Sequence, residues 1–329
     1  MTAKTITKSL HSLIESQIPT FIWGAPGVGK SSIVKQIAQE LDIEFIDLRL
    51  SLLDPTDLKG IPFFDKHTHR AVWASPSFLP HDENTSGILF LDELNAAPPS
   101  VQASAYQLIL DRKIGEYTLP KNWAIIAAGN RENDRGVTFR MPSPLANRFV
   151  HLDFDVDVED WKNWAYKAGI HSAVISFISF ENSQLFMFQA DAIQKSFATP
   201  RSWEYVSNIL NSSAGEELLL DLISGAVGEE SAIKFLSFKK VFSELPLIED
   251  ILNANETFYP TSPQALHALI SSIIANAKSD EELENVLKYA LELKSEFSVL
   301  LVQDLGQNGA NLERLKSWSL WVEKFSYLL

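Results

Sequence analysis

The chain contains no cysteine among its 329 residues, which excludes disulfides and thiolate metal sites and favours a reducing compartment. No apolar run approaches the ~18 residues that a membrane-spanning helix needs. The N-terminus also lacks the apolar segment of a secretory signal peptide. We therefore expect a cytoplasmic protein without a membrane span, and its length predicts about two domains.

Neither half of the chain carries a net positive charge. Residues 1–150 carry 15 basic and 16 acidic side chains, whereas residues 151–329 carry 13 and 26. A protein whose main partner is nucleic acid is expected to have a basic face or domain. The charge distribution therefore speaks against nucleic acid as the main partner, although it does not exclude a few basic loops lining a pore.

The most informative segment is a glycine-rich loop between a predicted strand, Phe21–Trp23, and a predicted helix with apolar residues from Ile33 to Leu41 at helical spacing. The loop and first helical turn consist of Gly24, Ala25, Pro26, Gly27, Val28, Gly29, Lys30, Ser31 and Ser32. In this setting the pattern is a Walker A motif, whose backbone amides surround phosphates. Lys30 is expected to reach the β- and γ-phosphates and Ser31 to ligate Mg²⁺. The segment predicts binding of a nucleoside triphosphate.

A second motif follows a run of four large apolar residues, Ile88–Leu91, which is typical of a central parallel strand covered on both faces. Asp92 and Glu93 come at its carboxyl end, where open α/β sheets bind ligands. We expect Asp92 to hold Mg²⁺ and Glu93 to polarise the attacking water. A solvated acidic loop is the alternative, but it leaves the apolar run unexplained.

Asn130 follows a third apolar strand, predicted over residues 123–128. An amide at the same sheet edge can hydrogen-bond both the γ-phosphate and the water. An Asn after a strand is often only a turn residue. Its order in the chain, after the two carboxylates, favours the functional interpretation.

Two arginines complete the set of candidates. Arg148 comes at the end of a short predicted helix in which Ser143 is the N-cap and Pro144 the first residue. Arg201 directly follows a Thr-Pro pair that predicts a helix start at residue 200. A cation in a first helical turn opposes the helix dipole, so Arg201 is expected to face an anion; a surface ion pair is the alternative.

As an ordered set these motifs resemble the MoxR-like branch of the AAA+ ATPases, over about residues 15–210. The resemblance implies an α/β fold, with a P-loop parallel-sheet core between helices, followed by an α-helical lid and C-terminal helices. It implies a core over residues 1–155, with hairpin insertions near 61–73 and 112–119, and a helical part over 156–329. In that part we expect a capping box at Ser279 and Glu282 and a last amphipathic helix from Leu312 to Phe325.

The same resemblance implies a Mg²⁺-dependent ATPase that assembles into a ring, a hexamer, and remodels a partner protein of the von Willebrand A-domain type. Glu93 and Asn130 would orient water, Arg201 would close the lid in cis, and Arg148 would reach a neighbour's γ-phosphate in trans. No Asn-Lys-x-Asp element for guanine follows the Walker motifs, which favours ATP over GTP. Three alternatives stay open: a motor subunit that acts on DNA, a small-molecule kinase, and a nucleotide-gated scaffold.

Overall fold

A computed structural model describes residues 1–67, 69–134, 138–190, 195–240, 245–255 and 257–325. These residues form two compact units. The first unit spans Met1–Val156 and includes Gln189 and Ala190, and the second contains Asp157–Phe188 and the described residues from 195 onward. Within the described ranges, every helix is too short or too polar to cross a lipid bilayer.

The first unit is an α/β structure. Its elements in chain order are α1 (Ala3–Glu15), β1 (Thr20–Trp23), α2 (Lys30–Glu40), β2 (Glu44–Arg49), α3 (Pro55–Lys59), β3 (Ile61–Asp65), β4 (Arg70–Ala74), β5 (Gly87–Asp92), α4 (Pro99–Asp111), β6 (Lys113–Ile114), β7 (Tyr117–Thr118), β8 (Trp123–Gly129), α5 (Ser143–Ala146) and β9 (Val150–Asp153).

Five of these strands form one parallel sheet in the order β2-β5-β8-β1-β9. The two strands with continuous apolar sequence, β5 and β8, are buried almost throughout, because sheet strands cover both their edges and helices cover both faces. The strands β2 and β9 are the two outer strands of the sheet and are partly exposed. All five carboxyl ends lie at one edge of the sheet, so the predicted α/β fold class is confirmed.

The two segments predicted as hairpins are antiparallel ribbons outside this sheet. In the first, β3 pairs with β4, and Ile61, Phe63 and Phe64 are exposed. In the second, β6 pairs with β7 across a turn in which Gly115 has a positive φ of 59°.

The helix before β9 begins one residue earlier than predicted. Pro142 is the N-cap of α5, so Ser143 and Pro144 occupy its first two positions. The backbone of Pro142 has φ −58° and ψ 136°, which is the extended conformation that a cap residue needs. A second difference concerns Leu41, which is the C-cap of α2 and 40% exposed and therefore does not belong to the buried face of that helix.

The second unit is helical. Its elements are α6 (Val158–Lys167), α7 (Ser172–Phe180), α8 (Pro200–Leu210), α9 (Leu219–Val227), α10 (Glu229–Lys239), α11 (Ile248–Leu252), α12 (Pro263–Asn276), α13 (Asp280–Glu292), α14 (Ser295–Gln307) and α15 (Trp318–Phe325). The predicted capping box is present, since Ser279 Oγ accepts from the Glu282 amide and a Glu282 carboxylate oxygen accepts from the Ser279 amide, at 3.2 and 2.8 Å. It fixes the start of α13.

The prediction of one continuous helix from Leu312 to Phe325 is wrong. A short 3₁₀ turn spans Leu312–Arg314, Leu315 is extended with ψ 149°, and α15 starts only at Trp318. The cause is a contact from α13: a carboxylate oxygen of Glu284 accepts a hydrogen bond from Ser317 Oγ at 2.6 Å. This contact holds the chain in a separate turn ahead of α15.

His267, in α12, predicts a pH dependence of stability. Burial lowers the pKa of His267 to about 4, and the charge of Lys162 adds to this effect. The ring packs against Phe180 and Phe297, and its Nδ1 has no partner among the described atoms. Between pH 6.5 and 4 the unfolded chain therefore binds a proton that the folded chain does not. We expect unfolding free energy to fall by up to about 3 kcal/mol as pH drops through this window.

Urea unfolding of the His267→Phe variant across this pH range measures the effect. The variant should lose this part of the pH slope, whereas His67→Ala, in an exposed turn, should keep it. An unchanged slope in His267→Phe would contradict the assignment.

Candidate functional site

The glycine-rich loop connects β1 to α2 at the carboxyl edge of the sheet. Gly29, the N-cap of α2, has φ 102°, and Gly27 has φ 77°, which are left-handed conformations that glycine adopts without strain. The first amides of α2 have no intrahelical acceptor, because a helix leaves its first four N–H groups unpaired. The loop therefore presents backbone donors and a positive helix end to an anion.

Lys30, the first residue of α2, points back over the loop. Its Nζ donates to the carbonyl oxygens of Gly24 and Ala25 at 2.6 and 3.0 Å and to Asn130 Oδ1 at 3.1 Å. The structure thus joins the predicted phosphate-binding lysine to the predicted amide at the end of β8. Of the remaining predicted phosphate-site residues, Pro26, Val28, Ser31 and Ser32 lie in the same loop and helix start.

Asp92, the last residue of β5, is only partly exposed. Burial raises the pKa of Asp92 and the charge of Glu93 adds to the rise, while the Glu93 amide, Lys30 and Arg49 act in the opposite direction. The Oδ1 atom of Asp92 accepts a hydrogen bond from the Glu93 amide at 2.9 Å. Two neighbouring carboxylates at a partly buried edge repel each other, so the site is suited to a cation.

The donor set fits Mg²⁺. Oxygen ligands are what this ion prefers, and it is usually held by one or two carboxylates together with substrate phosphates and water. Asp92 and the hydroxyl of Ser31 would be the protein ligands. Among the described residues no group of three or more His, Asp or Glu side chains is arranged to hold a metal alone, so phosphate oxygens would have to complete the coordination.

Glu93 directly follows β5 in a left-handed conformation, with φ 56° and ψ 34°. Such a backbone is uncommon for a residue with a side chain and is concentrated at functional sites. Its carboxylate accepts a hydrogen bond from Ser51 Oγ, and Arg49 Nε lies 3.9 Å from its other oxygen. The side chain is 41% exposed, so water can reach it.

Asn130 comes directly after β8, and its side chain reaches Lys30. Its backbone carbonyl accepts a hydrogen bond from Asn95 Nδ2 at 2.7 Å. The next residue, Arg131, donates to Asp155 Oδ1 at 2.6 Å and to the Phe154 carbonyl at 3.1 Å. The hydrogen bond from Arg131 holds the pKa of Asp155 below its usual range. Asn130 and the residue that follows it are therefore fixed by contacts.

Arg148 lies away from these groups. The strands β1 and β9 are parallel, with Thr20 opposite Val150, so Arg148 lies just before the amino end of β9. Gly24 instead follows the carboxyl end of β1, and a four-residue strand is about 13 Å long. The Arg148 side chain is exposed, and it forms no ion pair with any residue that the structure describes. The structure thus separates it from Lys30, Glu93 and the rest of the predicted site.

Arg201 belongs to the second unit. It is exposed in the first turn of α8, whose N-cap Thr199 accepts from the Ser202 amide at 3.1 Å. Within the described part of the chain no carboxylate pairs with it, so the alternative of an ion pair finds no support. Its assignment to the nucleotide stays a prediction.

Comparison with known proteins concerns the first unit. Residues 20–151 match the model of the "ATPase family associated with various cellular activities (AAA)". This segment begins with β1 and ends within β9, and it contains the loop, both carboxylates, Asn130 and Arg148. The match supports an ATPase domain of the AAA type.

Solved structures give weaker similarities. A RuvB variant from Thermotoga maritima is 18% identical over 82% of this chain and 81% of its own, with a TM-score of 0.40. NtrX from Brucella abortus, solved in complex with ADP, is 14% identical over 93% and 68%, with a TM-score of 0.41. Since both scores are below 0.5, the fold assignment rests on the strand order of the chain itself.

Sequence reasoning missed three residues of the candidate site: Arg49 and Ser51, which contact Glu93, and Asn95, which donates to the Asn130 carbonyl. The signal for the first two depends on sheet order, because β2 lies beside β5 with Arg49 opposite Asp92. Asn95 had only a weak local signal, that of a polar residue two positions after Glu93, because its burial to 2% exposure is visible in the structure alone.

Proposed function

We propose that this chain is a Mg²⁺-dependent ATPase that hydrolyses ATP at the carboxyl edge of the sheet. The observation that carries the proposal is the meeting of three chain segments at one point. Lys30 Nζ lies 3.1 Å from Asn130 Oδ1, and the same lysine is close enough to Asp92 to lower its pKa against the effect of burial. A cation, carboxylates and an amide are the groups that the transfer of a phosphoryl group to water requires.

Each group has a defined task in this mechanism. The loop amides bind the β- and γ-phosphates, and Lys30 leaves the loop carbonyls to neutralise the charge that grows on the γ-phosphoryl group. Bound Mg²⁺, held by Ser31 and Asp92, would supply further charge neutralisation. Glu93 accepts a proton from the attacking water, and Asn130 orients that water against the phosphate.

The full active site needs a second copy of the chain in this proposal. Arg148 is exposed, lacks an ionic partner among the described residues, and lies at the sheet edge opposite the loop. An arginine in this position suits the γ-phosphate of a neighbouring subunit better than its own. We therefore propose a ring of subunits, with Arg201 closing the second unit over the nucleotide in cis.

The work done by the ring is proposed from the resemblance to MoxR-like ATPases. That resemblance supports a machine that remodels or activates a partner protein of the von Willebrand A-domain type. The 26 acidic side chains of residues 151–329, against 13 basic ones, would favour a partner with a basic face. Capture of co-purifying proteins by a hydrolysis-deficient variant tests this part.

The Lys30→Ala variant tests the nucleotide site. Removal of the loop's lysine, which is predicted to reach the β- and γ-phosphates, should weaken ATP binding by about tenfold or more, since charge-assisted bonds to phosphate are the strong ones. Calorimetric titration with ATP and Mg²⁺ measures the Kd, with Lys8→Ala, an exposed lysine of α1, as the control. Wild-type affinity in Lys30→Ala would refute the phosphate-binding role.

A further inference from the structure

Asn95 lies in the 3₁₀ turn that follows Glu93, spanning Leu94–Ala96, and is only 2% exposed. Its side-chain Nδ2 donates to the backbone carbonyl of Asn130 at 2.7 Å. The backbone carbonyl of Asn95 accepts a hydrogen bond from the Phe139 amide at 2.6 Å, and this second contact fixes the Asn95 backbone. A single residue thus connects the turn that carries Glu93 to the turn that carries Asn130.

The neighbouring glycine makes this contact possible. A Cβ atom placed on Gly129 would lie 2.0 Å from Asn95 Oδ1 and 2.7 Å from its Cγ. The amide of Asn95 therefore occupies the space that any side chain at position 129 would fill. With glycine there, the Asn95 amide lies directly against the end of β8.

The hydrogen bond to the Asn130 carbonyl carries a cost in stability. Asn95 Oδ1 is buried and has no hydrogen-bond partner among the described atoms. An unsatisfied buried oxygen is destabilising, so the amide satisfies the Asn130 carbonyl while one of its own polar atoms stays unpaired. A polar group with this cost, placed next to the candidate site, points to function.

We propose that Asn95 is a positioning residue for Asn130. Its Nδ2 fixes the Asn130 carbonyl and so sets the direction in which the Asn130 side chain leaves the end of β8, towards Lys30 Nζ at 3.1 Å. The inference rests on the proposed ATPase function. It adds that the geometry of the Asn130 amide is set from the turn after Glu93, so the two groups that orient water move together.

The test compares the full-length Asn95→Leu variant with wild type. Leucine keeps the volume and removes the donor, so we expect kcat for ATP hydrolysis to fall by about tenfold to a hundredfold, because small misplacements of catalytic groups have effects of this size. The Kd for ATP should change by less than about twofold. Gln102→Leu is the matched control, since Gln102 is also a buried amide that donates to a backbone carbonyl, that of Ala97, at 3.0 Å.

A second background separates positioning from general damage. In a chain that already carries Asn130→Ala, adding Asn95→Leu should lower kcat no further, because its target is gone. An equal loss in both backgrounds, or wild-type kcat in Asn95→Leu, overturns the inference. If Asn95→Leu fails to fold, Asn95→Ala removes the donor without adding a larger apolar side chain and is evaluated in the same way. Failure of the ATPase proposal looks different: the wild-type protein itself would release no phosphate.

Discussion

The Arg148→Ala variant is expected to lower kcat by about 10³- to 10⁵-fold, the effect of losing an arginine that stabilises the transferring phosphoryl group. Binding of ATP to each subunit should be unchanged, because Arg148 lies at the sheet edge opposite the phosphate loop. Phosphate release and ATP titration measure the two quantities. Arg140→Ala is the matched control, since Arg140 is an exposed arginine eight residues earlier.

Mixing variants tests whether Arg148 acts on a neighbour. Arg148→Ala retains an intact phosphate loop, and Lys30→Ala retains an intact Arg148. When the two variants are mixed, part of the ATP hydrolysis rate should return. The recovered rate should rise with the number of contacts in which Arg148 of one variant meets the intact loop of the other. No recovery in any mixture, or a monomer that hydrolyses ATP at the full rate, would contradict the action in trans.

The Glu93→Gln variant is expected to bind ATP normally and to lose about 10²- to 10⁴-fold in turnover, the usual contribution of a positioned general base. Glutamine keeps the size of the side chain and can still accept from Ser51, so the left-handed turn at residue 93 should persist. What it lacks is a carboxylate that takes the proton from water.

Single-turnover phosphate release, with bound nucleotide measured in parallel, tests Glu93→Gln. The exposed Glu83→Gln serves as the control for removing one carboxylate. A fast single turnover in Glu93→Gln would assign the base to another group, and loss of ATP binding would show that the substitution disturbed the loop.

The parts of the fold that the sequence predicted are those determined by local pattern. The apolar runs of β5 and β8 indicate strands buried on both faces, and both strands are buried as expected. Gly29 and Gly27 permit a left-handed loop between β1 and α2, and they have positive φ values. Each of these features depends on residues close together in the chain, so a pattern in the sequence is enough to predict it.

The parts that could not be predicted depend on contacts between distant segments. Ser51 contacts Glu93 only because β2 is placed beside β5 by the sheet order. The split before α15 depends on Glu284, 33 residues away from Ser317. For Arg201 the sequence predicts a place in the first turn of α8, which is correct, while its role at the nucleotide stays a prediction.

The register of β9 against β1 places Arg148 and the phosphate loop about one strand length apart, at opposite ends of the strands. In the proposed ring, each subunit would therefore offer Arg148 to one neighbour and its loop to the other. Such a contact is heterologous, and it either closes on itself or continues as an open helix. Small changes in the angle of that contact would then decide how many subunits complete the circle.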